Sequence, residues 1–279
     1  MADLIVDNEP AVRLVVFFIV FLAIVAWETA LPRRQRLLSR LSRWPANLGI
    51  VVLNTVVSRV VAPMGVVGMA LAAETEGWGL FNQVAVPFWL VVLLSVFLLD
   101  LAIYVQHVMF HAIPPLWRLH RMHHADQDFD VTTGARFHPI EVLISLGIKM
   151  CAVILLGAPA IAVVVFEVML NATAMFNHGN QRLPVALDRM LRLIVVTPDM
   201  HRVHHSVIAA ETNSNFGFNF PWWDRLLGTY RAQPSAGHDN MTIGIEAFRD
   251  ERDQRFDKML LQPFRPGKPG KQGRAIKRD

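Results

Sequence analysis

Ten of the eleven histidines in this chain lie between His107 and His205, and most recur at spacings that suit a metal. The first set is HVMFH, His107 and His111. On a helix, positions i and i+4 share a face, so both imidazoles reach one ion. The second set, HRMHH, holds His120, His123 and His124, and HRVHH repeats its spacing with His201, His204 and His205. Positions i, i+3 and i+4 bring two or three rings to one side of a helix. His138, in RFHPIE, and His178, in NHGN, complete the set. A single HxxxH pair is a common accident, and each lone histidine could be structural. Two HxxHH boxes joined to that pair at one membrane face are the stronger signal.

Neutral imidazoles suit iron, zinc and copper, and ten ligands exceed the needs of one ion and fit two. Two redox metals beside a bilayer can reduce O2 to an oxidant able to take hydrogen from an unactivated C–H bond. Acids should help to orient the rings and balance the charge. Asp100, Glu141 and Asp199 are the candidates. Asp100, Tyr104, His107 and His111 fall at i, i+4, i+7 and i+11, one stripe of a helix, and an acid within an apolar span is costly unless it has a task. Asp126, Asp128 and Asp130 have the 1-3-5 spacing of a calcium loop. Val131 and Phe137 stand where that loop needs Gly and Glu, so a solvated acidic turn is expected.

The elements that must position these residues are apolar. The chain is 53% hydrophobic and 18% charged, which points away from an ordinary soluble domain. Residues 11–30 are long enough to span, with acids before them and Arg33, Arg34, Arg36, Arg40 and Arg43 after them. By the positive-inside rule that basic stretch is cytoplasmic and the amino terminus outside. A second span is expected over 47–73, with Arg59 snorkelling, tilted or facing protein, and a third over 86–110 returns to the histidines. If both histidine regions share one centre, the block 142–176 must be a hairpin broken at Gly157-Ala158-Pro159. Lys149 in its first arm is expected to pack inside the bundle. Cys151 is the only cysteine, which excludes an internal disulfide or a cysteine-ligated cluster. A net charge of +4 gives no reason to expect a nucleic-acid partner.

The boxes resemble those of the fatty acid hydroxylase/sterol desaturase superfamily of membrane di-iron enzymes over about residues 96–230. The resemblance runs from Asp100, Tyr104, His107 and His111 through Leu116-Trp117-Arg118, the second box, Arg136, His138, Glu141, Asn177, His178 and Asn180. It ends with the third box, Asn215-Phe-Gly217 and WDRLLGT from Trp223 to Thr229. It implies an all-α integral membrane bundle with a cytoplasmic helical cap, two iron ions on the ten histidines, O2 as co-substrate and a lipid substrate. Electrons would come from a separate carrier, cytochrome b5 or a ferredoxin with its reductase. Asp224 would orient a ligand or serve a structural salt bridge.

The expected organisation is a two-span region at 1–85, a catalytic unit at 86–230 and a basic, partly disordered tail at 231–279. The location implied is a bacterial cytoplasmic membrane, with the site and carboxyl terminus cytoplasmic. Hydroxylation and desaturation share their first step, so the boxes leave both open, as they leave open the lipid and the oligomeric state. Two rivals stand beside this reading. A zinc transporter should place its ligands near the midplane, and a zinc hydrolase needs fewer histidines. A heme cytochrome needs two histidines facing each other across a bundle, not three boxes.

Overall fold

Proline and glycine punctuate the apolar runs where helices begin and turn. Helix α1 (Glu9–Ala30) carries Pro10 in its first turn, where a missing N–H costs nothing. Helix α2 (Arg40–Val61) is capped by Ser39, whose hydroxyl accepts from Ser42 N at 3.1 Å. Helices α3 (Gly65–Thr75), α4 (Phe88–Ala112) and α5 (Pro114–His124) follow. Then come α6 (Pro139–Leu156) and α7 (Ala160–His178), separated by Gly157 in the left-handed conformation, Ala158 and Pro159. Short helices α8 (Val185–Leu191), α9 (Pro198–His204), α10 (Trp222–Leu226) and α11 (Phe256–Leu261) build the cap. The computed structural model describes residues 2–267, and among them the only β pairing is two isolated bridges.

Five helical segments are long and apolar enough to cross a membrane: Glu9–Ala30, Arg40–Asn82, Phe88–Ala112, Pro139–Leu156 and Ala160–His178. Their outward faces carry exposed Leu14, Phe18, Val52, Trp89 and Leu93, the surface a bilayer would cover. The protein is an all-helical integral membrane bundle. The carboxyl ends of α1, α4 and α7 and the amino end of α6 meet at the histidines. At the other end the α3–α4 and α6–α7 turns touch: a Cβ on Gly79 would lie 2.1 Å from Gly157 N. The core between α3, α4, α6 and α7 is built from Val67, Ala70, Leu99, Ile103, Val153, Val163 and Phe166, and Phe218 closes it toward the histidines.

The second apolar block, expected as a span over 47–73, lies within the candidate crossing segment Arg40–Asn82 and is made of two helices. It breaks after Val61, and Arg43, Asn47 and Asn54 on α2 bond to Asp126, Thr132 and Phe137 beside the histidines. The amino-terminal part of α2 is thereby tied to residues beside the histidines. Arg59 is exposed. Lys149 has a partner that the sequence reading overlooked: its ammonium lies 2.6 Å from Glu167 on α7, which Arg13 of α1 also approaches at 2.8 Å.

Residues 231–267, read from sequence as part of a basic tail, fold against α2 and α5. Met259 is fully buried with Ala46, Ile50 and Met122, and Arg118 donates to the Pro263 carbonyl at 2.7 Å. The remainder of that tail lies outside the described residues.

Candidate metal centre

Nine of the ten histidines assemble. Helix α4 presents His107 and His111, α5 presents His120, His123 and His124, α7 ends on His178, and α9 with its cap presents His201, His204 and His205. They sort into two groups: His107, His111, His120, His124 and His204 in one, His123, His178, His201 and His205 in the other. Within each group the ligating nitrogens lie within 4.8 Å of one another, and every ring is buried. Both HxxHH boxes divide between the groups, so each box helix serves two sites.

The outer nitrogens of five rings are anchored. The Nδ1–H groups of His107, His178 and His204 donate to the carbonyls of Phe216 at 2.7 Å, Ala174 at 2.8 Å and Ser214 at 2.7 Å. His120 Nδ1 reaches Glu141 Oε1 at 2.6 Å, and His111 Nδ1 reaches Asn213 Oδ1 at 3.3 Å. A proton held on Nδ1 leaves the Nε2 lone pair facing inward, the tautomer a metal requires. Those inward nitrogens crowd together: His107 and His120 at 3.2 Å, His123 and His178 at 3.2 Å, His178 and His201 at 3.1 Å. Lone pairs facing at this separation repel unless a cation or proton lies among them. Nε2 of His111 and His204, Nδ1 of His123 and His201, and both ring nitrogens of His124 and His205 find no partner among the described residues. Each unsatisfied buried nitrogen costs about 1–3 kcal/mol, a cost that metal coordination would remove. The donor set fits two ions with a preference for nitrogen ligands.

Burial also sets the protonation. It pushes His120 down to about 3 and holds His123, His124, His201, His204 and His205 well below the ordinary imidazole range, with neighbouring rings adding to the effect for those five. At neutral pH these rings are uncharged, the state in which an imidazole can bind a metal.

His138, counted with the ligands in the sequence, stands apart. Its Nδ1 accepts from Ile140 N at 3.2 Å, capping α6, and Nε2 donates to the Leu260 carbonyl at 3.3 Å. Both nitrogens are occupied, so the ring joins neither group. The acids also separate. Glu141 touches a histidine of the cage. Asp100 does not: it accepts from Asn219 Nδ2 and Trp223 Nε1, each at 2.8 Å, tying the 217–223 loop to α4. Asp199 pairs with Arg202 and with Arg33 at 3.3 Å. Asp224 accepts from Phe216 N at 2.8 Å and Gly217 N at 2.9 Å, fixing the backbone that anchors His107.

The Asp126–Asp130 segment is a buried network, contrary to the solvated turn read from its spacing. Arg43 donates to both oxygens of Asp126, at 2.7 and 2.6 Å, and to Asp130 at 2.6 Å, with all three side chains fully buried. Arg136 donates to the Met122 carbonyl at 2.8 Å. Burial favours the protonated acid, but Arg43 and Arg136 outweigh it and hold Asp126 at about 2. This network locks the second box to α2. Only the three evenly spaced acids marked it in the sequence; their partner lies more than eighty residues earlier.

Aromatic rings wall the cage. Phe137 stacks on His123 with centroids 4.4 Å apart, Phe129 lies 5.0 Å from His205, and Trp117 lies 4.9 Å from His111. Phe218 lies 5.2 Å from His107 and 5.9 Å from His201, so it touches both groups. Phe218 and Phe137 alone among these four also belong to the apolar core between the membrane helices.

Residues 92–229 match the family model described as fatty acid hydroxylase. Among characterised proteins, the chain is 32% identical over 178 residues to an ornithine lipid hydroxylase of Rhizobium tropici, covering 64% of this chain and 51% of that protein. It is 28% identical over 146 residues to human cholesterol 25-hydroxylase, covering 50% and 51%. It is 24% identical over 191 residues to an alkylglycerol monooxygenase of Xenopus tropicalis, covering 65% and 40%. The chain thus spans about half or less of the length of these relatives, and no solved structure matches it. With its histidine boxes inside the matched stretch, this chain belongs to the fatty acid hydroxylase family.

Proposed function

We propose that the protein hydroxylates an aliphatic C–H bond of a membrane lipid, using O2 and two irons held by the nine histidines. The observation that carries this reading is the two-group cage whose wall on the membrane side, Phe218 and Phe137, is continuous with the apolar core of the bundle. Bound irons would supply the activation of O2 and the abstraction of hydrogen, for the balance R–H + O2 + 2e⁻ + 2H⁺ → R–OH + H2O. The protein's own residues anchor five of the nine rings through Nδ1, exclude water with aromatic walls, and present an apolar approach to an apolar chain. Hydroxylation is favoured over desaturation because the three relatives named above are hydroxylases or monooxygenases.

Residues 86–230 supply this catalytic unit, with α2 and residues 231–267 bracing it from outside. Asp100, Asp199 and Glu141 act on its scaffold, Glu141 through His120. Both electrons would come from a separate carrier, a cytochrome b5 or a ferredoxin with its reductase; the single cysteine among these 279 residues cannot itself hold an iron–sulfur cluster. The arginine-rich link 33–43 sits at the histidine end, which by the positive-inside rule favours a cytoplasmic site and an amino terminus across a bacterial membrane.

Lipids extracted from cells expressing the protein under 18O2 test the reading. A lipid hydroxyl carrying one 18O should accumulate with the wild type and be absent with His124→Ala. Label entering from H2 18O, or no new oxygenated lipid against a full lipidome, would refute it.

A further inference from the structure

Two short helices of the cap, α8 and α10, and the turn that follows α8 leave apolar side chains uncovered. Val185 is 73% exposed, Leu193 61%, Ile194 62% and Leu226 72%. Their position along α4 is what makes this informative. Trp222 and Trp223 lie 6.0 and 4.4 Å from Phe97, and Trp222 Nε1 donates to the Leu193 carbonyl at 2.7 Å. Phe97 precedes His107 by ten residues, so at 1.5 Å per residue this edge sits about 15 Å below the cage along a membrane helix. The neighbouring outward residue of α4, Leu93, is 58% exposed, so the patch continues a face built for lipid.

The irregular backbone here is also satisfied as a bilayer demands. Asp224 accepts from Phe216 N and Gly217 N, Asn177 donates to the Phe218 carbonyl at 3.0 Å, and Val196 N donates to the Asn219 carbonyl at 3.0 Å. Asp100, otherwise an unexplained acid in a span, anchors this same loop through Asn219 and Trp223. Arg189, exposed on α8, can reach lipid phosphates while apolar neighbours stay below.

We infer that residues 185–194 and 222–227 form a wedge of the cap that is sunk into the lipid leaflet on the histidine side, docking on phospholipid rather than on a protein. The wedge makes the cap edge an intramembrane surface, so a lipid can meet the enzyme beside α4 without leaving the bilayer. This docking claim holds whatever reaction the centre performs.

Single cysteines at Leu193, Ile194 and Leu226, in a Cys151→Ser background, test it after labelling with an environment-sensitive fluorophore and reconstitution into phosphatidylglycerol/phosphatidylcholine vesicles. Leu93→Cys reports lipid exposure and Asp257→Cys reports water. Wedge labels should lose fluorescence to acyl-chain-brominated lipid, as the Leu93 label does, and be shielded from aqueous iodide. Iodide quenching equal to that at position 257, with no loss to brominated lipid, would overturn the inference. Unmodified wild-type protein photolabelled with a diazirine phospholipid gives an independent reading. Adducts on peptides covering 185–194 and 222–227 are expected, and their absence while α4 peptides are labelled would also overturn it.

Discussion

Glu141 Oε1 lies 2.6 Å from Nδ1 of His120, while the ring's Nε2 lies 3.2 Å from His107 Nε2 inside the cage. The carboxylate fixes the ring's tautomer and raises the basicity of the inward nitrogen. Glu141→Gln keeps the shape and removes the charge, so metal retention should weaken about tenfold, and Glu141→Ala by up to about 100-fold. The rate of metal transfer to a chelator at fixed pH measures this. Equal rates for wild type and both variants would show that Glu141 does not tune the ligand.

His138 and His124 carry opposite expectations although the sequence counts both among the ligands. With both nitrogens of His138 engaged by Ile140 N and the Leu260 carbonyl, His138→Ala should keep its full metal complement. It should lose only about 1 kcal/mol from the missing helix cap. His124→Ala should lose metal. Metal analysis of the two variants side by side decides, and metal loss in His138→Ala would return that ring to the ligand set.

The cage was largely legible because local helical spacing puts i, i+3 and i+4 rings on one face without help from tertiary structure. The turn at Gly157-Ala158-Pro159 was legible for the same reason, since glycine and proline act on their own backbone. Partners far apart in sequence were not. Asp126 reads as a solvated turn until Arg43 is seen folded onto it, and Asp100 reads as a ligand orienter until Asn219 and Trp223 arrive to occupy both its oxygens. Helix α2 was partly legible for a related reason: it is apolar enough to span, and three of its polar side chains bond to the cap.

Arg43 is fully buried, and removing it strands two carboxylates without water. Arg43→Ala should cost about 3–5 kcal/mol, the usual penalty for an uncompensated buried charge. Arg43→Lys should recover only part of it, because a single ammonium cannot match the two-pronged bond to Asp126. Thermal unfolding in detergent reports both. A variant as stable as wild type would mean that the network does not hold the second box.

The stability of metal-free protein should fall as pH drops below about 6.5, the ordinary histidine value. Burial lowers His120 to about 3 and holds the other cap-borne cage histidines well below their usual range, so between about 6.5 and 3 the unfolded chain binds protons that the folded one refuses. Protonation then favours unfolding, and stability is greatest above that window. Asp126, held at about 2, adds its own loss only at still lower pH. A melting temperature for chelated protein that stays flat from about pH 7 to 5 would contradict this assignment of neutral buried rings.

The account rests on nine histidines holding two redox metals, and metal content tests that most directly. Wild-type protein purified in detergent from iron-replete cells should carry about two non-heme irons per chain, one for each histidine group. His124→Ala combined with His205→Ala, one ligand from each group, should lose both while the protein remains folded. Well-folded wild-type protein that carries no transition metal, or carries iron only as heme, would contradict the central claim.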